Sequence, residues 1–200
     1  GALRKTLCIE KRHGKSLFRQ YIRLYEGELA DRIDFYNEIN WQSTNALLKA
    51  EFPLNVDNEK ATYDLGIGSV QRGNNILTAY EVYAQYWADL TDSDGSYGVS
   101  IMNDSKYGWD KPDNHTPETK NNYPYQDRQD LGYHTFTYSL VGHAGGLDKA
   151  QVVKESEVLN QRLKAFAAEK HSGTLGKAFS FASSDNSNVV IKALKKAESS

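Results

Sequence analysis

Residues 97–102 alternate without a break, with Tyr97, Val99 and Ile101 on one side and Gly98, Ser100 and Met102 on the other. A period of two marks a strand, because successive Cβ atoms leave a pleated backbone in opposite directions. The pattern returns twice at greater length. In residues 32–41, Ile33, Phe35, Ile39 and Trp41 fall on one face and Arg32, Asp34, Glu38 and Asn40 on the other. Residues 134–140 set His134, Phe136, Tyr138 and Leu140 against Thr135, Thr137 and Ser139. Short runs of this kind, parted by turns such as TDSDGS at 91–96, build an antiparallel sheet with one dry and one wet face. Trp41 is therefore expected to be buried beside Ile33, Phe35 and Ile39.

The rest of the chain extends this reading. Residues 3–10 and 16–25 read as strands joined by a turn at 12–15, and 26–31 turn again around Gly27. Residues 47–56 read as a further strand, with Pro53 at an edge or bulge. A short strand at 63–65 leads past Gly66 and Gly68 into a polar loop at 71–75. Residues 110–130, dense in Pro, Asn, Asp and Lys, read as a long loop. Glycines 142, 145 and 146 are expected to break the strand after Leu140. Val152, Ser156, Leu159, Leu163 and Phe166 then recur near helical spacing, predicting one helix over about 148–160. Residues 177–183 and 189–194 read as two closing strands linked by a turn at 184–188.

Two hundred residues suffice for one sizeable core, and 13 Tyr with 7 Phe supply large packing units suited to a sheet. The net charge of −2, from 24 basic and 26 acidic residues, gives no ground for a nucleic-acid partner or an anionic membrane. Cys8 is the sole cysteine, so no intrachain disulfide forms. No stretch has the length of a membrane span, and the first residues carry no signal-peptide pattern. The expected location is the cytoplasm.

Residues able to do chemistry are few. The five histidines, His13, His115, His134, His143 and His171, have no metal-ligand spacing and read as surface or packing residues. Asp92 and Asp94 lie in a turn and read as solvated turn residues. The strand at 97–102 ends in Asn103, Asp104, Lys106 and Tyr107, four hydrogen-bonding side chains ahead of Gly108. Strand ends on a rigid sheet are where binding groups sit. The alternative is that Asp104 caps the turn and pairs with Lys106. Arg72 divides the same way, between reaching substrate hydroxyls and bridging domains. Tyr83, Tyr86, Trp87, Tyr107 and Trp109 are candidates for stacking on a sugar ring, against an ordinary role in the core.

Several phrases of the sequence, in order, closely resemble the C-terminal β-domain of glycoside hydrolase family 38, the α-mannosidases. They are LLKAEFPLNV (47–56), ATYDLGIGSVQR (61–72), WADLTDSDGSYGVSIMNDSKYGWD (87–110), HTFTYSLVGHAG (134–145), EVLNQRL (157–163) and FSFASSDNSNVVIKALKKAE (179–198). The resemblance implies a mainly-β fold, an antiparallel β-sandwich of the mutarotase-like supersandwich type with one short helix, in a single domain over 1–200. It favours a strand over 163–169. It implies hydrolysis of terminal α-linked mannose by a larger enzyme whose upstream catalytic domain carries the carboxylates and the zinc or other divalent metal. None of those catalytic motifs occurs here, so no catalytic residue, metal ligand or cofactor is expected in this chain. The implied partners are that catalytic domain and mannosides, with Asn103, Asp104, Lys106, Tyr107 and Arg72 as candidate substrate contacts. One departure stands out. Relatives carry a further strand of alternating Leu and Arg where His115-Thr116 here runs straight into Pro117. Two other readings remain open at this point, a stand-alone carbohydrate-binding module and an epimerase-type enzyme.

Overall fold

The computed structural model describes residues 3–27, 30–44, 46–74, 82–103, 130–147, 151–186, 189 and 191–198. The chain divides into two compact units, Gly1–Leu163 and Lys164–Ser200. In the first unit eight antiparallel strands form one sheet. They are β1 (Arg4–His13), β2 (Ser16–Tyr25), β3 (Arg32–Trp41), β4 (Lys60–Asp64), β5 (Ser69–Gly73), β6 (Trp87–Thr91), β7 (Tyr97–Asn103) and β8 (Gly132–Ala144). Their order across the sheet is β1-β2-β3-β8-β7-β6-β4-β5. One helix follows among the described residues, α1 (Val152–Asn160). The mainly-β, antiparallel class with one short helix is the class read from the sequence, and the described strands form one open sheet.

Register assigns the side chains to two faces. On the first, α1 lies over β6, β7 and β8, where Val152 and Leu159 pack with Trp87, Met102 and Val141 to make the buried core. Tyr86 and Leu147 pack against its margin. The second face carries Phe35, Phe52, Phe136 and Tyr138, with Phe35 stacked on Tyr138 at 5.0 Å and Phe52 5.6 Å from Tyr138.

Phe52 explains where the expected strand at 47–56 went. Those residues are extended, and Phe52, Leu54 and Val56 alternate half-buried with exposed neighbours, but they pair with no strand. They lead instead from β3 toward the β6–β7 turn. There the Asn55 carbonyl accepts the Tyr97 hydroxyl at 2.6 Å, and the Asp57 amide donates to Asp92 Oδ1 at 2.8 Å. The alternation was real. Its dry side meets a sheet face rather than a neighbouring ladder.

Other expectations change as well. Part of the polar loop at 71–75 is strand β5, paired residue for residue with β4 from Lys60↔Gly73 to Asp64↔Ser69. Gly142 does not end β8, because Val99 pairs with it and β7 continues to Tyr97↔Ala144. The helix begins at Val152, while 148–150 lie outside the described residues, as does the loop expected at 110–129 and the departure at 115–117. The strands expected at 163–169, 177–183 and 189–194 do not form among the described residues of those ranges. There Phe179 and Phe181 meet edge to face at 4.9 Å, and Lys195 pairs with Glu198 at 2.6 Å.

Strand β3 inverts part of its predicted facing. Arg32 and Asp34, expected on the wet side, are 6% and 4% exposed, while Trp41 is half-buried and meets Phe18 edge-on at 6.1 Å. Charge can be buried here because it is paired. Arg32 Nε lies 2.9 Å from Asp34 Oδ1, close enough for an ion pair though not aligned as a hydrogen bond. Its Nη1 donates to Glu155 Oε2 of α1 at 3.0 Å, and Asp34 also accepts from Ser139 at 2.6 Å and Tyr25 at 2.7 Å.

Candidate functional site

The end of β7 is where the sequence placed a binding tip. Asn103 closes the strand, in register with Tyr138 of β8. Tyr138 is held from both ends, its ring on Phe35 and its hydroxyl 2.9 Å from Gln20 Nε2. Gln20 also donates to Asn37 Oδ1 at 3.0 Å, and Asn37 is buried. Burial pushes the Tyr138 hydroxyl up from its ordinary value, against the opposing pull of Gln20 and Asn37. The strand end therefore rests beside an ordered aromatic support. Asp104, Lys106 and Tyr107, like Trp109, lie outside the described residues.

Arg72 sits on β5, the opposite edge of the sheet from β1. Its Nη1 donates to the Tyr83 carbonyl at 3.1 Å, and its guanidinium lies 5.2 Å from the Tyr63 ring centre. Register links Arg72 to Ala61, and the β4, β6 and β7 pairings continue that row to Leu90 and Val99. Arg72 is thus three strand spacings and four residues of rise from Asn103, about 19 Å across the sheet. The structure does not bring these two candidates together. Beside Arg72, an open polar hollow of about 480 Å³ is lined by Asp57, Asn58, Glu59, Lys60, Gly73 and Asn74. The Asn58 side chain is already engaged with the Lys60 amide and the Thr91 carbonyl, so the hollow is a braced loop.

Of the proposed stacking aromatics, Trp87 is 5% exposed in the core, Tyr86 packs at its margin and Tyr83 is exposed. Sequence reading missed a buried histidine–carboxylate pair on the helix-covered face. His143 Nε2 lies 2.8 Å from Asp89 Oδ2, which also accepts the Ser100 hydroxyl at 2.7 Å, while Thr91 donates to Oδ1 at 2.6 Å. His143 Nδ1 is 3.0 Å from the Gly145 carbonyl. A carbonyl only accepts, so Nδ1 is the donor in that contact. Gly98 makes the contact possible: a Cβ there would stand 2.5 Å from His143 Cε1. The absent side chain lets the ring reach from β8 across β7 to β6. With side chains 5% and 1% exposed, the pair is closed to substrate and serves as a tie between strands.

This architecture and its tip can be set against known proteins. Residues 1–118 match the family described as Glycosyl hydrolases family 38 C-terminal domain. The chain belongs to that family. Alpha-mannosidase 2C1 of Homo sapiens is 33% identical over 176 residues, 84% of this chain and 16% of that protein. Alpha-mannosidase G of Dictyostelium discoideum is 29% identical over 180 residues, again 84% and 16%. The crystal structure of an alpha-mannosidase from Enterococcus faecalis V583 superposes with a TM-score of 0.58 at 17% identity, covering 80% of this chain and 19% of that one. That likeness shows the fold. The family 38 chain thus spans 16% of the length of the curated relatives it matches.

Proposed function

We propose that this chain is the C-terminal β-domain of an α-mannosidase that hydrolyses terminal α-linked mannose, its 200 residues forming one non-catalytic part of a longer polypeptide. Family membership, together with relatives named alpha-mannosidase of which the chain spans 16%, carries this reading. The sheet adds support. One row of its second face runs Leu24, Ile33, Leu140, Ile101, Ala88, Tyr63 and Val70 across seven strands. All seven keep part of their surface open. A continuous apolar row of this breadth suits packing against further polypeptide better than solvent.

The domain's role in this reading is to buttress the catalytic domain upstream and to supply part of the cleft wall. Asn103, Asp104, Lys106 and Tyr107 are the cleft contacts, with Arg72 as a separate contact point. The zinc or other divalent metal implied by the family belongs upstream. The described residues do not fit one: no three His, Cys, Asp or Glu side chains converge among them. His143 has both ring nitrogens engaged, and His134 and His171 meet backbone carbonyls. Among the described residues no helix is long and apolar enough to cross a membrane. The exposed, unpaired Cys8 agrees with a reducing compartment, and we place the enzyme in the cytoplasm.

The experiment is an assay of an aryl α-mannoside with three proteins: the full-length polypeptide, the same polypeptide lacking these residues, and the 200-residue chain. Hydrolysis by the first alone is expected. Hydrolysis by the isolated chain, or its absence from the full-length protein, overturns the reading.

A further inference from the structure

The first hairpin carries a charge opposite to that of the rest of the chain taken together. Between Arg4 and Tyr25 there are seven Lys and Arg against one Glu, a net of +6, in a chain whose total of −2 leaves −8 elsewhere. Among the described residues, Glu10 is the one carboxylate in ion-pair contact with these cations, at 2.8 Å from Arg19 and 3.7 Å from Arg12. Among the described strands β1 is the outermost, so one side of its backbone has no ladder partner among the described residues. Nine of its ten residues are exposed, and Leu7 is 59% exposed. Ten residues held straight with almost no burial gain little from this domain to offset their ordering.

We propose that β1 is the docking edge for an extended acidic segment of the same enzyme, lying outside this chain and adding to the sheet as a ninth strand. The proposal rests on the α-mannosidase reading for its partner. Three features select an acidic polypeptide. The open backbone edge needs amides and carbonyls in register, which only another polypeptide backbone provides. Leu7, with Ile9 and Leu24 on the same face, offers apolar area between the basic side chains. Lys5, Lys11 and Arg12 supply positive charge along the strand.

Basic residues on an edge also guard against self-association, and here the two roles agree. A second copy pairing antiparallel about the strand's midpoint would set Lys5 against Arg12 and Thr6 against Lys11. Like charges oppose that copy, while the same charges favour an acidic strand.

Amide hydrogen exchange over residues 4–13 of the full-length enzyme, at low salt and at 1 M NaCl, tests this. The outward-facing amides of β1 should be protected at low salt. The exposed triple variant K5E/K11E/R12E, and 1 M salt on the wild type, should each speed their exchange at least tenfold. Salt shortens the screening length from about 10 Å at 0.1 M to about 3 Å, so the wild-type arm stands even if the variant fails to accumulate. Free exchange of β1 in the wild type, or protection indifferent to salt, overturns the proposal. So does protection that appears only on addition of anionic vesicles or RNA, which would assign the edge to those partners. Aryl mannoside hydrolysis on the same preparation separates the two readings. Activity with an unprotected β1 removes the docking strand alone, and inactivity with a protected β1 removes the α-mannosidase assignment alone.

Discussion

Gly98 is the residue that decides whether the helix-covered face can close. Adding a methyl group there meets His143 Cε1 at 2.5 Å and the Thr91 Cα at 2.9 Å, and the second is backbone that cannot swing away. Gly98→Ala should therefore destabilise the domain by about 1–3 kcal/mol and displace the His143 ring. Denaturant midpoints, with the imidazole resonances of His143 as a local probe, check both; an unchanged midpoint would mean the ring does not lie over Gly98. Tyr25 bears on alkaline stability. Burial, and then the bond to Asp34 and its charge, push its hydroxyl up from the ordinary value near 10. A folded value above the unfolded one gives stability present below about pH 10 and lost as pH rises through the raised value. Tyr25→Phe should make the fall in melting temperature above pH 10 shallower, though Tyr21, Tyr36 and Tyr138 are also raised and keep part of the slope. A slope identical to wild type would remove Tyr25 from the account. None of this was legible from spacing, since Asp89 and His143 stand 54 residues apart and meet only once β7 lies between their strands.

At the scale of elements, alternation was a reliable guide to extended backbone but not to pairing. β3, β7 and β8 lie where period two placed them, because each pairs on both sides and alternation also decides burial there. Residues 47–56 have the same period and cross a sheet face, which no local pattern distinguishes from a ladder. The start of β3 misled for a different reason: Arg32 and Asp34 read as wet until a helix carrying Glu155, 123 residues beyond Arg32, arrives to bury them. The helix itself was legible through Val152, Ser156 and Leu159, the three residues it buries, whereas Leu163 and Phe166 of the same period lie beyond its end and are exposed. Leu159 fills the core against Trp87, Met102 and Val141, so Leu159→Ala should cost about 2–5 kcal/mol. Val158, exposed on the same helix, is the control, and its replacement by Ala should cost far less. Thermal unfolding of the two variants side by side gives the comparison, and equal losses would mean α1 is not docked by that face.

For the molecule as a whole, the family was legible in the phrases at 47–56, 61–72 and 87–110, whereas the candidate site was drawn from the sequence only as a place at a strand end. The end of β7 was singled out because a regular apolar strand stops in four hydrogen-bonding residues. Arg72 was grouped with it by chemistry alone, and the register sets it about 19 Å away. That separation makes two different outcomes expected in the full-length enzyme. Asp104→Ala and Tyr107→Phe should lower kcat/KM for an α-mannoside, with melting temperature nearly unchanged. A charged hydrogen bond to substrate is worth about 1.5–3 kcal/mol, roughly ten- to a hundredfold in kcat/KM. Arg72→Ala removes the bond to the Tyr83 carbonyl and the contact with the Tyr63 ring, so it should lower the stability of the β4–β5 edge. Cation–π contact at a partly exposed site contributes about 0.5–1 kcal/mol, and the hydrogen bond a similar amount. Both quantities measured on all three variants separate a cleft wall from a brace. If Asp104→Ala loses stability while kcat/KM per folded molecule holds, Asp104 supports its loop through Lys106 and the cleft role is rejected.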